Sequence, residues 1–201
     1  MASGVQDTLD ALLAEARGCR LCEQELPLGP RPVLRASATA RMLIVGQAPG
    51  LLVHQTGIPW NDPSGDRLRD WMGIDRDVFY DESRIAIIPT GLCYPGRDAR
   101  GGDLPPRNEC ARLWHPRLTA CLPNVRLRIL AGRYAHRLYL GKRVKSTLTE
   151  TVRAWEEYLP EDLVLPHPSF RNLGWLQRNP WFEERVIPEL RRRVLSLLEP
   201  V

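Results

Sequence analysis

The sequence predicts an open, mostly parallel α/β fold, and three observations carry the prediction. Short, continuously apolar runs closed by glycine or proline recur along the chain. Segments with helical signals lie between them, and alternation of that kind builds parallel sheets with helices on their faces. A chain of 201 residues is long enough for one well-buried core, so a single domain spanning 1–201 is expected.

The elements follow in order. Leu9, Leu12, Leu13 and Ala16 recur at helical spacing and stop before Gly18, which predicts a first helix. A Pro-rich loop, "CEQELPLGPRPVLR", leads to "RMLIV", a run that is short, β-branched toward its end and closed by Gly46, as a buried strand requires. "RIAIIP" from Arg84 and "LRILAG" from Leu127 repeat the pattern, and "DLVLPHP" from Asp162 is a shorter fourth case. Helices are expected around Asp66 to Met72, Arg107 to Cys121 and Thr147 to Tyr158, the last opened by a Thr147-x-x-Glu150 capping box. Asn179 is expected to cap a final helix with Pro180 at its first position, carrying Phe182, Val186, Leu190, Val194, Leu197 and Leu198 on its apolar side; Pro188 should kink or restart it. In open parallel sheets the ligand lies beyond the carboxyl ends of the strands, which puts 46–50, 89–93 and 166–172 on one rim.

Composition narrows the function classes. No apolar run approaches the ~18 residues of a membrane span. The first 18 residues mix acids into their apolar positions, unlike a signal peptide, so a cytoplasmic, monomeric protein is expected. Lys and Arg exceed Asp and Glu by 28 − 24 = 4, which permits a polyanionic partner. The stretch "GRYAHRLYLGKRVK" interleaves basic and aromatic residues in a way suited to a phosphate backbone, whereas Arg191 to Arg193 read as a solvated helix face.

Three constellations could carry chemistry. Gly46-Gln47-Ala48-Pro49-Gly50 lacks the Lys-Ser/Thr of a phosphate-gripping loop, which disfavours a small-nucleotide binder. Its continuation "GIPWNDPSG" offers Trp60 as a flat surface for a planar ring, or as ordinary core. His167, held between Pro166 and Pro168, can donate to an oxygen that gains negative charge. Ser169, Arg171 and Asn172 beside it suit phosphates, and Phe170 suits a wedge in a base stack or simple packing. Cys19-x-x-Cys22 with Cys93 and Cys110 can hold zinc or an iron-sulfur cluster, or be buried thiols; Cys121 stands apart.

Taken together these motifs resemble the uracil-DNA glycosylase superfamily, and within it the iron-sulfur branch of bacterial and archaeal type. The resemblance rests on "GQAPG", on Gly57-Ile58-Pro59-Trp60, on His167-Pro168-Ser169 and on the order of the four cysteines, and it runs from about Cys19 to the last helix. It implies a three-layer α/β/α sandwich with a central four-stranded parallel sheet. It also implies a DNA-repair enzyme that flips a deaminated base into a rim pocket and hydrolyses its N-glycosidic bond. Trp60 would stack on the base and His167 would stabilise the leaving anion. Gly46, Gln47, Ala48, Pro49 and Gly50 would place the attacking water. Ser169, Phe170, Arg171 and Asn172 would enter the minor groove. Cys19, Cys22, Cys93 and Cys110 would hold a 4Fe-4S cluster, with zinc as the alternative.

The sequence departs from the family pattern twice. Where relatives hold an aspartate or glutamate in the first motif, this chain has Ala48 and Gln47; glutamine can orient water but cannot take its proton. Either a strongly dissociative reaction asks little of its base and tolerates the loss, or Asp62 or His54 substitutes. Where many relatives read uracil with an asparagine, this chain has Pro89, with Thr90 beside it. Uracil is the first substrate expected, another deaminated base the second. A member that binds DNA without turnover is the alternative in another class.

Overall fold

The computed structural model describes residues 2–99 and 101–199. Four parallel strands form its centre: β1 (Met42–Val45), β2 (Ile85–Ile87), β3 (Leu127–Ala131) and β4 (Asp162–Leu165), in the order β2-β1-β3-β4. Register pairs Ile44 with Ile87 on one side and with Ile129 on the other, and Leu130 with Val164 beyond. Every residue of β1, β2 and β4 is buried. Successive side chains point to opposite faces, so both faces of the sheet are covered and the fold is three-layered, as expected.

Nine α-helices are found among the described residues. They are α1 (Ala2–Arg17), α2 (Leu51–Thr56), α3 (Pro63–Met72), α4 (Arg76–Tyr80), α5 (Asn108–Ala120), α6 (Arg133–Leu140), α7 (Leu148–Arg153), α8 (Leu173–Arg178) and α9 (Ile187–Leu198). α1 packs on α5 and α3 on α9. Leu9, Leu13 and Ala16 of α1 and Ile187, Leu190 and Val194 of α9 enter one continuous core with the strands. No helix among the described residues is long and apolar enough to cross a membrane.

Helix boundaries follow local chemistry. Asp62 caps α3 by accepting a hydrogen bond from the Gly65 N–H at 2.8 Å, with Pro63 in the first turn where its missing N–H costs nothing. The Thr147/Glu150 capping box forms in full, but α7 stops at Arg153 and a 3₁₀ turn, Trp155–Tyr158, completes the expected segment. Arg191 of α9 donates to the Asp70 and Trp71 carbonyls at the C-terminal end of α3, so this part of "RRR" is a helix-to-helix tie.

Two expectations are corrected. Asn179 does not cap the final helix with its side chain: Nδ2 donates to the Trp175 carbonyl and Oδ1 accepts from the Trp181 indole. The chain beyond it runs through a π-helical turn, Phe182–Val186, before α9 begins with Pro188 in its first turn. The wider turn absorbs the donor that Pro188 lacks. The basic stretch after Gly132 is α6 and its flank; Arg133 and Tyr134 reach the cleft at the rim of the sheet, while other members of the stretch have partners within the fold. His136 is buried and bonded to the Leu130 carbonyl, Tyr139 meets His115, Arg143 pairs with Asp162, and Lys145 with Glu157.

Candidate active site

The chain leaves β1 for β2 on one side of the sheet and later enters β3 on the other, so the point where strand order reverses lies between β1 and β3. A cleft of about 820 Å³ opens there. Its walls come from the loops after all four strands: Gly46 to Gly50 after β1, Pro89 after β2, Gly132 to Tyr134 after β3, and His167 with Ser169 to Asn172 after β4. Trp60, Asp62 and Arg67 close another side.

The Gly46 loop is tied down by its neighbour. The Gly46 carbonyl accepts from both the N–H and the hydroxyl of Thr90, at 2.9 and 2.8 Å, and the Gln47 carbonyl accepts from Gly91. Thr90 is therefore buried and occupied; of the predicted site residues outside the cysteine set, only it and His54 do not line the cleft. Pro89 does line it, and its carbonyl is engaged by the buried His115 at 3.0 Å. Gln47 turns its amide nitrogen onto the Leu104 carbonyl at 3.1 Å.

Trp60 has φ 55°, the one left-handed residue other than glycine among those described. For a bulky side chain that conformation is strained, and it persists only where the surroundings enforce it. Here the Trp60 carbonyl takes a hydrogen bond from the buried Arg69, and the Pro59 carbonyl takes one from Tyr80. A Cβ on Gly65 would lie 1.7 Å from the Trp60 carbonyl oxygen, and one on Gly46 would lie 2.6 Å from Trp60 Cζ2. The two glycines thus let the indole lie flat along the Gly46 turn.

The indole stacks beside the His167 imidazole, with ring centroids 5.5 Å apart and planes inclined by 28°. That spacing leaves no room for a third ring between them. A planar ligand would therefore stack on the part of the indole that the imidazole leaves free, not between the two rings. His167 is placed from three sides. Asn172 Nδ2 donates to its carbonyl at 2.7 Å, Arg67 donates to the Pro168 carbonyl at 2.7 Å, and Gly132 makes way for its Cβ. Burial lowers its pKa to about 4, so the ring is neutral at pH 7 and donates as an imidazole.

Asp62 lines the cleft while capping α3, and burial raises its pKa. His54, the other candidate substitute, is turned away: it is buried against Tyr94, outside the cleft lining, with Nδ1 unpartnered. Four arginines, Arg67, Arg97, Arg133 and Arg171, line the cleft against two aspartates, Asp62 and Asp103, so its walls are net positive. At the mouth Phe170 is 71% exposed, the most exposed large apolar side chain among the described residues.

Sequence reasoning missed Arg67, Arg97 and Asp103, and it named Arg133 and Tyr134 only within the basic stretch, without placing them on the rim. The rim rule, applied to the end of the third strand as to the others, finds Gly132 to Tyr134. Arg67 sits inside a helical stretch and Asp103 in a loop, and neither carries a local signal.

The four cysteines lie apart from this cleft. Cys19, Cys22, Cys93 and Cys110 line one small apolar cavity with Leu21, Leu92, Arg107 and Trp114. No group of three or more His, Cys, Asp or Glu among the described residues is gathered tightly enough to hold a single metal ion. The cavity nonetheless suits an anionic group held by sulfur. Cys110 Sγ accepts the Leu92 N–H at 3.2 Å, and Cys93 accepts a backbone bond from Arg31. Trp114 Nε1, from a residue lining the cavity, is a buried donor without a hydrogen-bond partner, whereas Arg107 Nε lies 3.6 Å from Glu109 Oε2 and Arg107 also interacts with the Cys22 thiol. Orphaned buried donors are rare and call for an acceptor.

A family model for the uracil DNA glycosylase superfamily matches residues 35–191, well over half of the chain, from just before β1 into α9. The match takes in every cleft-lining residue but Val33 and leaves Cys19 and Cys22 outside it. Parallel sheet, switch-point cleft and family match agree, and the chain belongs to the uracil DNA glycosylase superfamily.

Proposed function

We propose that the protein is a DNA glycosylase that hydrolyses the N-glycosidic bond of uracil, or of another deaminated base, flipped out of DNA. The observation that carries the reading is the Trp60–His167 pair at the floor of a net-positive cleft. Cleaving the bond leaves negative charge on the base and positive charge on the sugar. A neutral imidazole fixed at the edge of a stacked base stabilises the first, as preorganised donors do where charge develops. A flipped base gains stacking on Trp60, while Phe170 at the mouth can fill the gap it leaves in the duplex. Arg133 and Arg171, which line the cleft, would pair with the flanking phosphates.

Cys19, Cys22, Cys93 and Cys110 would hold a 4Fe-4S cluster. Its sulfides would give Trp114 Nε1 the acceptor it lacks. When bound, the cluster would act as a covalent tie between the N-terminal segment, the loop after β2 and α5. Zinc is the alternative occupant, and metal analysis of purified protein separates the two.

Oligonucleotides carrying a single uracil, hypoxanthine or xanthine, incubated with the protein and then treated with alkali, test the activity. Strand scission at one or more of these bases is expected. Intact strands for all three, with DNA still bound, would instead favour the non-catalytic reading, for which the absence of a carboxylate at Gln47 and Ala48 speaks.

A further inference from the structure

We infer that Asp103 supplies the carboxylate that the first motif lacks, receiving the proton of the attacking water; the inference rests on the glycosylase reading above. Asp103 lies more than 50 residues from that motif in sequence, yet it lines the cleft, and its Oδ2 sits 3.6 Å from where a Cβ on Gly50 would be.

The placement is built. Residues 97 and 103 form an antiparallel bridge, the Asp98 N–H donates to the Gly102 carbonyl at 2.7 Å, and the Leu104 N–H donates to the Gly96 carbonyl at 2.9 Å. This turn is docked on the first motif through Gln47, whose side-chain amide donates to the Leu104 carbonyl. A glutamate at position 47 has no N–H to offer that carbonyl and would add a negative charge beside Asp62 and Asp103. Glutamine at the acid position therefore suits a carboxylate delivered from the neighbouring turn. Arg97 Nε lies 3.7 Å from Asp103 Oδ1, which orients the carboxylate and leaves Oδ2 as the oxygen toward Gly50. Asp62, which also lines the cleft and caps α3 through Oδ1, is the competing carboxylate.

In the step itself the water oxygen forms a bond to the sugar C1′ as the C1′–N bond breaks. The bonding pair leaves with the base, whose anion His167 stabilises, and the water proton passes to Asp103. Later proton transfer from Asp103 to solvent, and from solvent to the base anion, closes the balance with no other reactant.

The groups facing Asp103 are Arg97 and Arg171, which favour its charged form, and Asp98 and Asp62, which disfavour it. Burial outweighs them and raises its pKa. The carboxylate form is the proton acceptor, so the rate should fall as pH drops through that value.

Asp103→Asn and Asp103→Glu test the role in single-turnover excision from a uracil oligonucleotide, or from whichever base the wild type removes, across pH 4.5–8. DNA affinity is measured in parallel by anisotropy. Expected are a loss on the order of 10²-fold for Asp103→Asn at neutral pH, an unchanged dissociation constant, loss of the acid limb, and partial recovery in Asp103→Glu. An Asp103→Asn rate within twofold of wild type, or a loss matched by equally weakened binding, overturns the inference while leaving the glycosylase reading intact. Wild-type protein that excises none of the bases overturns both.

Discussion

Gly46 shows how one atom can hold a site together. Its missing Cβ is the space into which Trp60 Cζ2 reaches, 2.6 Å from where that carbon would be. Gly46→Ala should push the indole off its stack with His167 and cost on the order of 10²-fold in excision rate. Secondary structure should survive, which far-UV circular dichroism checks against the kinetics. The histidines are a second single-residue matter. Burial lowers the pKa of His136 to about 4, and that of His167, partly exposed at the cleft, shifts the same way, against about 6.5 in the unfolded chain. The unfolded state thus binds more protons between those values. Stability present above pH 6.5 should be lost progressively as pH falls toward 4. Urea midpoints at pH 7, 5.5 and 4.5 measure it, and His136→Gln, which keeps a donor for the Leu130 carbonyl, should flatten the trend.

At the scale of elements, the strands were legible because each is a short, unbroken apolar run, and a strand buried on both faces needs nothing else. The capping box of α7 was legible because its chemistry is local. Thr147→Ala should remove the bond to the Glu150 N–H and lower stability by about 1 kcal/mol in urea unfolding. The six-residue α2 and α8 and five-residue α4 were not legible, since a helix of one turn and a half cannot display a 3.6-residue period. α6 was hidden by its own composition: its basic residues suggest a solvated or DNA-facing stretch, and only the fold shows His136 and Tyr139 bonded inward. The same limit applies to the site. Eleven cleft residues were read from motifs at strand ends and Trp60 and Asp62 from the turn before α3, whereas Asp103 and Arg67 arrive from elsewhere in the chain through contacts no motif encodes.

At the scale of the whole molecule, two centres share one sheet. The cleft gathers loops from all four strands, and the cysteine cavity binds the segment after α1 to the loop after β2 and to α5. If that cavity holds a metal group, Cys93→Ser should abolish the visible absorbance of purified protein and lower its melting temperature, with excision lost only as far as folding is lost. Colourless wild-type protein holding zinc would replace the cluster assignment. The central claim is that the Trp60–His167 cleft performs base excision, and single-turnover kinetics on a uracil oligonucleotide with wild type and His167→Ala tests it most directly. The account predicts excision by the wild type, a loss on the order of 10²- to 10³-fold in the variant, and DNA affinity unchanged. Equal rates for the two proteins would contradict it.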